Sequence, residues 1–472
     1  MDRRADFGEH DSVLGSYKAV LTSDLLRREV WAWTFLAICS LAIAGLFALF
    51  IALSRLPGSE QGLPWLANFF HKGLVIHVVF SFVVWFLIVF DLIASLATFR
   101  IARNDKVRLR WIGLAGVLTI GLSFPILFIP SFIREAEAVR NNYIPVIEHP
   151  LYEFGLVLLF VGAALPIIRF IANLPRRFSR LFDPVPFAAA FASGIYLIAL
   201  SSMAIVLGLS RSLPEVPYEH LFWGSGHVLQ FLNALLMICG WYLLARLSPL
   251  DSLFDAEIYR LAAVLLLVFV LPALLFYVKF EAFSARQDAA FTNLQYALAL
   301  PLLLVGGNAL IGILRHRHTA GSLPWSDPAF LCLAFSLLVF GVGGILGFLV
   351  DGADTRTPAH YHGVLAGISL AFMGLFICFF LPLLGRDLRA VRAVHLPIML
   401  FGVGQMLASV GLFLAGGYGA PRKVPGESHV VIDGVVIGMH LNGIGALVAV
   451  VGGALFVFTV FAALLRAPRG QQ

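Results

Sequence analysis

The stretch DTRTPAHYHGVLAGISLAFMG at 354–374 decides what kind of protein this is. It opens with polar residues, Asp354, Thr355 and Arg356, and runs on into a segment apolar enough to cross a membrane. Two histidines, His360 and His362, nevertheless sit in its first turns. An ionisable side chain in hydrocarbon is costly and marks a ligand site or an ion pathway. Residues two apart on an α-helix are roughly 200° apart around its axis, so the two imidazoles point to nearly opposite flanks. One helix can therefore hold two cofactors, one on each side. Neutral imidazole is an axial ligand of haem iron, and the number of axial ligands supplied separates gas binding from electron carriage.

The rest of the chain supplies the setting. Of 472 residues 60% are hydrophobic and 13% charged, a balance far from that of a water-soluble domain. Mean hydropathy is +0.91. Apolar runs long enough for a bilayer of about 30 Å begin near Trp31, Leu74, Trp111, Leu151, Phe187, Leu221, Leu261, Phe291, Pro328, His360, Pro397 and Asp433. Gly- and Pro-rich connections separate them, for example PGSEQGLP at 57–64 and RHRHTAGSLPWSDP at 315–328. The expected fold is all-α, a polytopic membrane protein whose twelve transmembrane helices form one bundle over 30–467. Segments 1–29 and 468–472 flank it.

A net charge of +6 raises the question of nucleic acid, but the basic residues lie in short connections between apolar runs. The expectation is a lipid bilayer as partner and no nucleic acid. Most of the 33 Lys and Arg fall on one side if both termini are cytoplasmic, which predicts a multi-pass protein of the cell (inner) membrane in that orientation. The polar first thirty residues lack the pattern of a signal peptide. Cys39, Cys239, Cys332 and Cys378 show no CxxC, CxxCH or zinc spacing, which argues against disulfides and c-type haem attachment. No repeat of fixed period is visible.

Two further histidines lie within apolar spans, His77 on the second and His227 on the sixth. With cytoplasmic termini the second, sixth and tenth spans all run inward from the outer side. His77, His227, His360 and His362 then gather in one layer in the outer part of the bilayer. A histidine on the second span opposite one on the tenth would give a six-coordinate, electron-carrying haem.

This pattern resembles subunit I of the haem-copper oxidase superfamily, which includes cytochrome c oxidases and nitric oxide reductases. The 354–374 segment resembles the tenth-helix signature, in which Asp and Thr precede an H-[FY]-H element. HLFWGSGHVLQF at 220–231 is similar to the sixth-helix motif, where Trp and Gly precede a metal-binding histidine. HVVFSFVVWFL at 77–87 resembles the second-helix segment, and GGYGAPRK at 416–423 the stretch that closes the eleventh. The resemblance implies a low-spin haem ligated by His77 and His362, and a high-spin haem with His360 as proximal ligand and His227 facing the distal metal. Arg422 and Lys423 would lie near haem propionates. It also implies an electron donor, whether a partner subunit, a soluble cytochrome c or a quinol, and a small gas as substrate.

Two departures bear on chemistry. The family carries two adjacent histidines early in the seventh-helix segment, completing a site for copper or non-haem iron. Counting back from FTNLQYALALP at 291–301, they should fall near Phe276 and Tyr277, where the chain reads LPALLFYVKFEAF (271–283). The distal metal site as the family builds it cannot form; Tyr277 and Glu281 are the candidates for oxygen ligands. The tyrosine that many oxidases place one turn after the sixth-helix histidine is Phe231 here, which favours nitric oxide over oxygen as substrate, although some oxidases carry the tyrosine on the seventh helix, where Tyr277 lies. The glutamate usual on the sixth helix of the reductase branch is missing too. Lys279, Glu281, Thr292 and Asn293 form the nearest polar cluster, and no pumping channel is recognisable. Three readings stand: a gas-reducing oxidoreductase, a degenerate haem-binding relative serving as electron carrier, sensor or assembly partner, and a twelve-helix proton-coupled transporter without haem.

Overall fold

The computed structural model describes residues 13–18, 23–54, 64–102, 107–139, 145–175, 178–211, 216–250, 254–350, 354–388, 391–422 and 432–467. Among them twelve helices are long and apolar enough to cross a membrane. In chain order they are α1 (Asp24–Ile51), α2 (Phe69–Ala102), α3 (Arg110–Phe132), α4 (Pro150–Ala172), α5 (Pro184–Ser210), α6 (Tyr218–Leu247), α7 (Ala256–Lys279), α8 (Ala285–Ala320), α9 (Pro328–Phe348), α10 (Arg356–Leu383), α11 (Arg392–Gly417) and α12 (Asp433–Leu465). Each expected span corresponds to one of these helices. A helix satisfies its own backbone hydrogen bonds, and hydrocarbon offers no other partner.

Local chemistry sets several boundaries. Pro150, Pro184 and Pro328 occupy first helical positions, where a missing N–H costs nothing. Asp255, Ser284 and Asp327 cap α7, α8 and α9 by accepting backbone N–H groups with their side chains. Gly321, at φ 74°, closes α8 in the left-handed conformation. Within α7 the regular helix ends at Val270 and resumes at Pro272, whose ring removes one hydrogen bond. Both α2 and α10 contain a π-helical segment, Val79–Val84 and Phe376–Phe380.

The helices are not equally enclosed. In α2, α6 and α10, 72%, 83% and 78% of the most apolar window is buried inside the protein, against 22–50% for the other nine. These three helices carry His77, His227, His360 and His362. Outer helices instead present Trp111, Leu118, Leu303 and Phe458 on their exposed surface, as a lipid-facing shell requires.

Packing holds the centre in register. Phe86 of α2 meets Phe372 of α10 edge-on at 5.2 Å, and Trp85 lies 4.8 Å from Phe376. At the far end of α2, Arg169 of α4 makes two 2.7 Å bonds to Glu29 of α1 and a 3.1 Å bond to Ser95 of α2. Both charged side chains are fully buried. Gly113 of α3 makes room for them, since a Cβ there would fall 2.6 Å from a Glu29 carboxylate oxygen. The four cysteines are free thiols.

Candidate haem site

His77 and His362 come to one level because their helices are parallel and locked by the Phe86–Phe372 contact. Counting back from that contact at 1.5 Å per residue puts His77 roughly 14 Å and His362 roughly 15 Å along their helices. His227 and His360 are related in the same way: a Cβ on Gly240 of α6 would meet the Ala371 methyl of α10 at 3.3 Å. From there His227 lies roughly 20 Å and His360 roughly 17 Å back along their helices, within a turn of one level.

Three of the four imidazoles share one hydrogen-bonding habit. Nδ1 of His77 lies 2.9 Å from the Ala44 carbonyl, Nδ1 of His360 2.8 Å from the Gly343 carbonyl, and Nδ1 of His227 2.6 Å from the Trp223 carbonyl. A carbonyl can only accept, so each Nδ1 carries the proton and each Nε2 keeps its lone pair. That is the tautomer a metal-ligating histidine needs, with the second-shell bond that fixes its ring. His362 is half-buried and stacks on Tyr361 at 5.3 Å. The donor set therefore fits haem.

Helix α9 builds the cradle for His360. A Cβ on Gly347 would fall 2.6 Å from the His360 Cε1 atom, and one on Gly343 would fall 2.8 Å from the Gly363 Cα. Glycines at these two places let α9 approach α10 closely enough to accept the imidazole proton. At the same end, the loop after α11 folds over the start of α10. Thr355 N–H donates to the Ala420 carbonyl, Thr355 Oγ1 donates to the Leu412 carbonyl, and Asp354 pairs with Pro421 in an isolated bridge. Arg356 hydrogen-bonds the Asp354 carboxylate and holds it below the usual aspartate range, with Arg422 adding a further favourable charge. Arg422 thus stands at the end of the bundle where His360 and His362 begin α10. Lys423 lies outside the described residues.

The distal side is a different matter. His227 is 3% exposed and its ring packs on Trp223 at 4.8 Å and near Phe291 at 6.2 Å. Phe276 stands edge-on to Phe291 at 5.2 Å. The Tyr277 hydroxyl is hydrogen-bonded to Ser202 of α5. Glu281 lies in the turn beyond α7 with its side chain exposed, and the structure does not bring it into the buried surroundings of His227. Among the described residues no three His, Cys, Asp or Glu side chains come together as a metal site. Of the two expected oxygen ligands, Glu281 lies in the exposed turn and the Tyr277 hydroxyl is engaged with Ser202, so His227 is left without a family-type set of donors.

Sequence reasoning gave no role to Trp223, Ser202, Phe291, Gln295, His220 or Asp288. The four-residue spacing of Trp223 and His227, one turn on the same face, is the signal that could have found the first. His220 lies on α6 itself and the others come from α5 and α8, so their meeting required the packed bundle.

Comparison with known proteins identifies the family. The family described as cytochrome C and quinol oxidase polypeptide I matches residues 28–451. The chain belongs to this haem-copper oxidase subunit I family. Cytochrome c oxidase subunit 1 of Thermus thermophilus is 25% identical, over 92% of this chain and 84% of its own length. Uncharacterized proteins of Rickettsia prowazekii and Aquifex aeolicus are 25% and 27% identical over 90% and 73% of the chain, and 94% and 82% of their own lengths. The solved structure of a haem-copper terminal oxidase dimer superposes with a TM-score of 0.72 at 17% identity, covering 94% of this chain and 85% of that one. Such a likeness shows the twelve-helix fold alone. Family membership makes the chain an oxidoreductase of a haem-binding membrane family that works with electron donors or other subunits.

Proposed function

We propose that this family member passes electrons from a low-spin to a high-spin haem and reduces a diatomic gas in the cell (inner) membrane, with both termini cytoplasmic. The observation that carries the reading is the set of Nδ1-bonded imidazoles on the three most enclosed helices. His77 and His362 would hold one haem from both sides, and His360 would hold the other from one side, with His227 opposite. Bound there, haem iron supplies reversible one-electron chemistry and, where one axial position stays open, a place for a gas. The backbone bonds to Ala44 and Gly343 orient the ligand rings and place the proton on Nδ1, which leaves Nε2 as the donor atom. Arg422 would neutralise a propionate near the start of α10.

Nitric oxide is favoured over oxygen because a buried phenylalanine, Phe231, stands one turn after His227, while Tyr277 on α7 is the tyrosine that would serve oxygen reduction instead. Electrons would come from a partner subunit, a soluble cytochrome c or a quinol. The second reading, a haem-bearing carrier, sensor or assembly partner, draws its support from Phe291 near His227 and from Phe276, which packs on Phe291.

Reduced and carbon-monoxide-bound optical spectra of the detergent-purified protein, with haem quantified on the same sample, test the reading. Two haems of which one binds carbon monoxide support it; loss of the low-spin haem in His77→Ala and His362→Ala, and of the carbon-monoxide band in His360→Ala, would assign the ligands. Two haems that both refuse carbon monoxide favour the carrier. A folded chain without haem, when haem is supplied during expression, refutes both and leaves the proton-coupled transporter.

A further inference from the structure

We propose that the distal site of this chain is built to hold no metal, and that hydrogen bonds and aromatic contacts make the cross-links between α6, α7 and α8 that a distal metal would otherwise supply. The inference deepens the reading above and rests on it for the placement of His227. Its grounds are how the residues around His227 are engaged.

The position on α7 is filled by carbon. Phe276 packs on Phe291, which is 1% exposed and whose ring is 5.4 Å from that of Tyr277 and 6.2 Å from that of His227. A divalent metal needs three or more donors at about 2.0–2.3 Å with fixed supporting bonds. His227 is one donor, and its nearest ring neighbours offer π faces.

The hydroxyl on α7 is committed elsewhere. Tyr277 shares a hydrogen bond with Ser202 of α5, and the pair nests against Gly224 of α6. A Cβ at Gly224 would fall 3.0 Å from Ser202 Oγ and 2.9 Å from Phe291 Cζ. The glycine one turn before His227 is thus where α6 yields to the α5–α7 pair and to Phe291. The local structure is shaped around the tyrosine, whose hydroxyl is held by Ser202.

The remaining polar groups tie the helices together directly. Trp223 Nε1–H donates to the Asp288 carbonyl at 3.1 Å, and Gln295 Nε2–H donates to the His227 carbonyl at 3.2 Å, both joining α6 to α8. Gln287 Nε2–H donates to the Phe276 carbonyl at 3.4 Å, joining α8 to α7. The His220 and Asp288 side chains, 3.4 Å apart, add a further α6–α8 contact toward the helix ends. Each helix that would share a metal is already held by its neighbours, so the site is preorganised by protein alone. Gas chemistry in this chain would then depend on haem iron and side chains, without a second metal centre.

The test uses the whole chain, expressed with both haem precursor and copper in excess and purified in detergent. Copper and total iron are measured against haem and protein, and the oxidised sample is examined by electron paramagnetic resonance. The expected result is iron equal to haem, copper far below the chain concentration, and a high-spin haem signal undiminished by a magnetic neighbour. In Phe276→His/Tyr277→His, two imidazoles join His227 and copper should rise at least tenfold, to about one per chain. Stoichiometric copper, or iron in excess of haem, in the wild-type protein overturns the proposal. Should the double variant fail to fold, the wild-type metal content decides alone. A folded chain without haem defeats the functional reading, whereas the copper content still reports on the distal site.

Discussion

Replacing Gly347 by alanine should expel the ligand that His360 offers. The added methyl would lie 2.6 Å from His360 Cε1 and 3.2 Å from Cγ, against roughly 3.5–4.0 Å for carbon atoms at ordinary contact. The ring must therefore retreat by about 1 Å, several times the tolerance of about 0.2 Å on a metal–ligand distance. Retreat of α9 instead would open the close backbone contact between Gly343 and Gly363 and stretch the His360 bond to the Gly343 carbonyl. Overpacking of this kind costs about 1–3 kcal/mol, and a shifted ring also loses its 2.8 Å bond to the Gly343 carbonyl. A loss of about 2 kcal/mol weakens retention of the high-spin haem roughly thirtyfold. The assay is the carbon-monoxide difference spectrum per chain, with thermal unfolding in detergent alongside. Gly344→Ala is the control, since its Cβ meets nothing within 4 Å. A Gly347→Ala protein with a full carbon-monoxide-reactive haem and unchanged unfolding temperature would refute the cradle.

Other outcomes follow from particular contacts. Glu29→Gln leaves the Arg169 guanidinium buried without its counter-charge, and should cost about 3–5 kcal/mol in unfolding free energy; Glu29→Gln/Arg169→Gln should recover part of it, as read by thermal melts in detergent. Asp354 is held below the ordinary aspartate range by its hydrogen bond to Arg356. A carboxyl whose folded pKa is depressed contributes stability that is present above its unfolded value of about 3.9 and is lost as pH falls through the lower folded value. The acid limb of a melting profile should therefore flatten in Asp354→Asn, and an unchanged limb would show that the Asp354–Arg356 knot contributes nothing. Trp223→Phe keeps the ring over His227 but removes the indole N–H bond to Asp288, so the environment of His227 should loosen. A broader carbon-monoxide band with haem content preserved is the expected spectrum; an unaltered band would separate Trp223 from that site.

The sequence by itself determined the twelve spans, because a bilayer imposes one length and one hydropathy on every crossing and those are legible residue by residue. It also determined the histidine layer, since His77, His227, His360 and His362 are conspicuous in apolar runs and helical geometry converts a two-residue spacing into opposite flanks. The missing histidines of the seventh span were legible as well, by counting back from 291–301. What only the tertiary structure decided is what stands in their place. Glu281 reads as a ligand by proximity in sequence, yet the helix ends at Lys279 and the carboxylate falls in an exposed turn. Ser202, Phe291 and Gln295 converge on α6 from helices whose apolar patterns give no hint of it. The proton position on each imidazole likewise depends on a carbonyl of another helix or an earlier turn: Ala44, Gly343 and Trp223. Periodicity along one chain fixes which way a helix face points, whereas the hydrogen bond that selects a tautomer depends on which neighbour that face meets, and this emerges only when the helices pack.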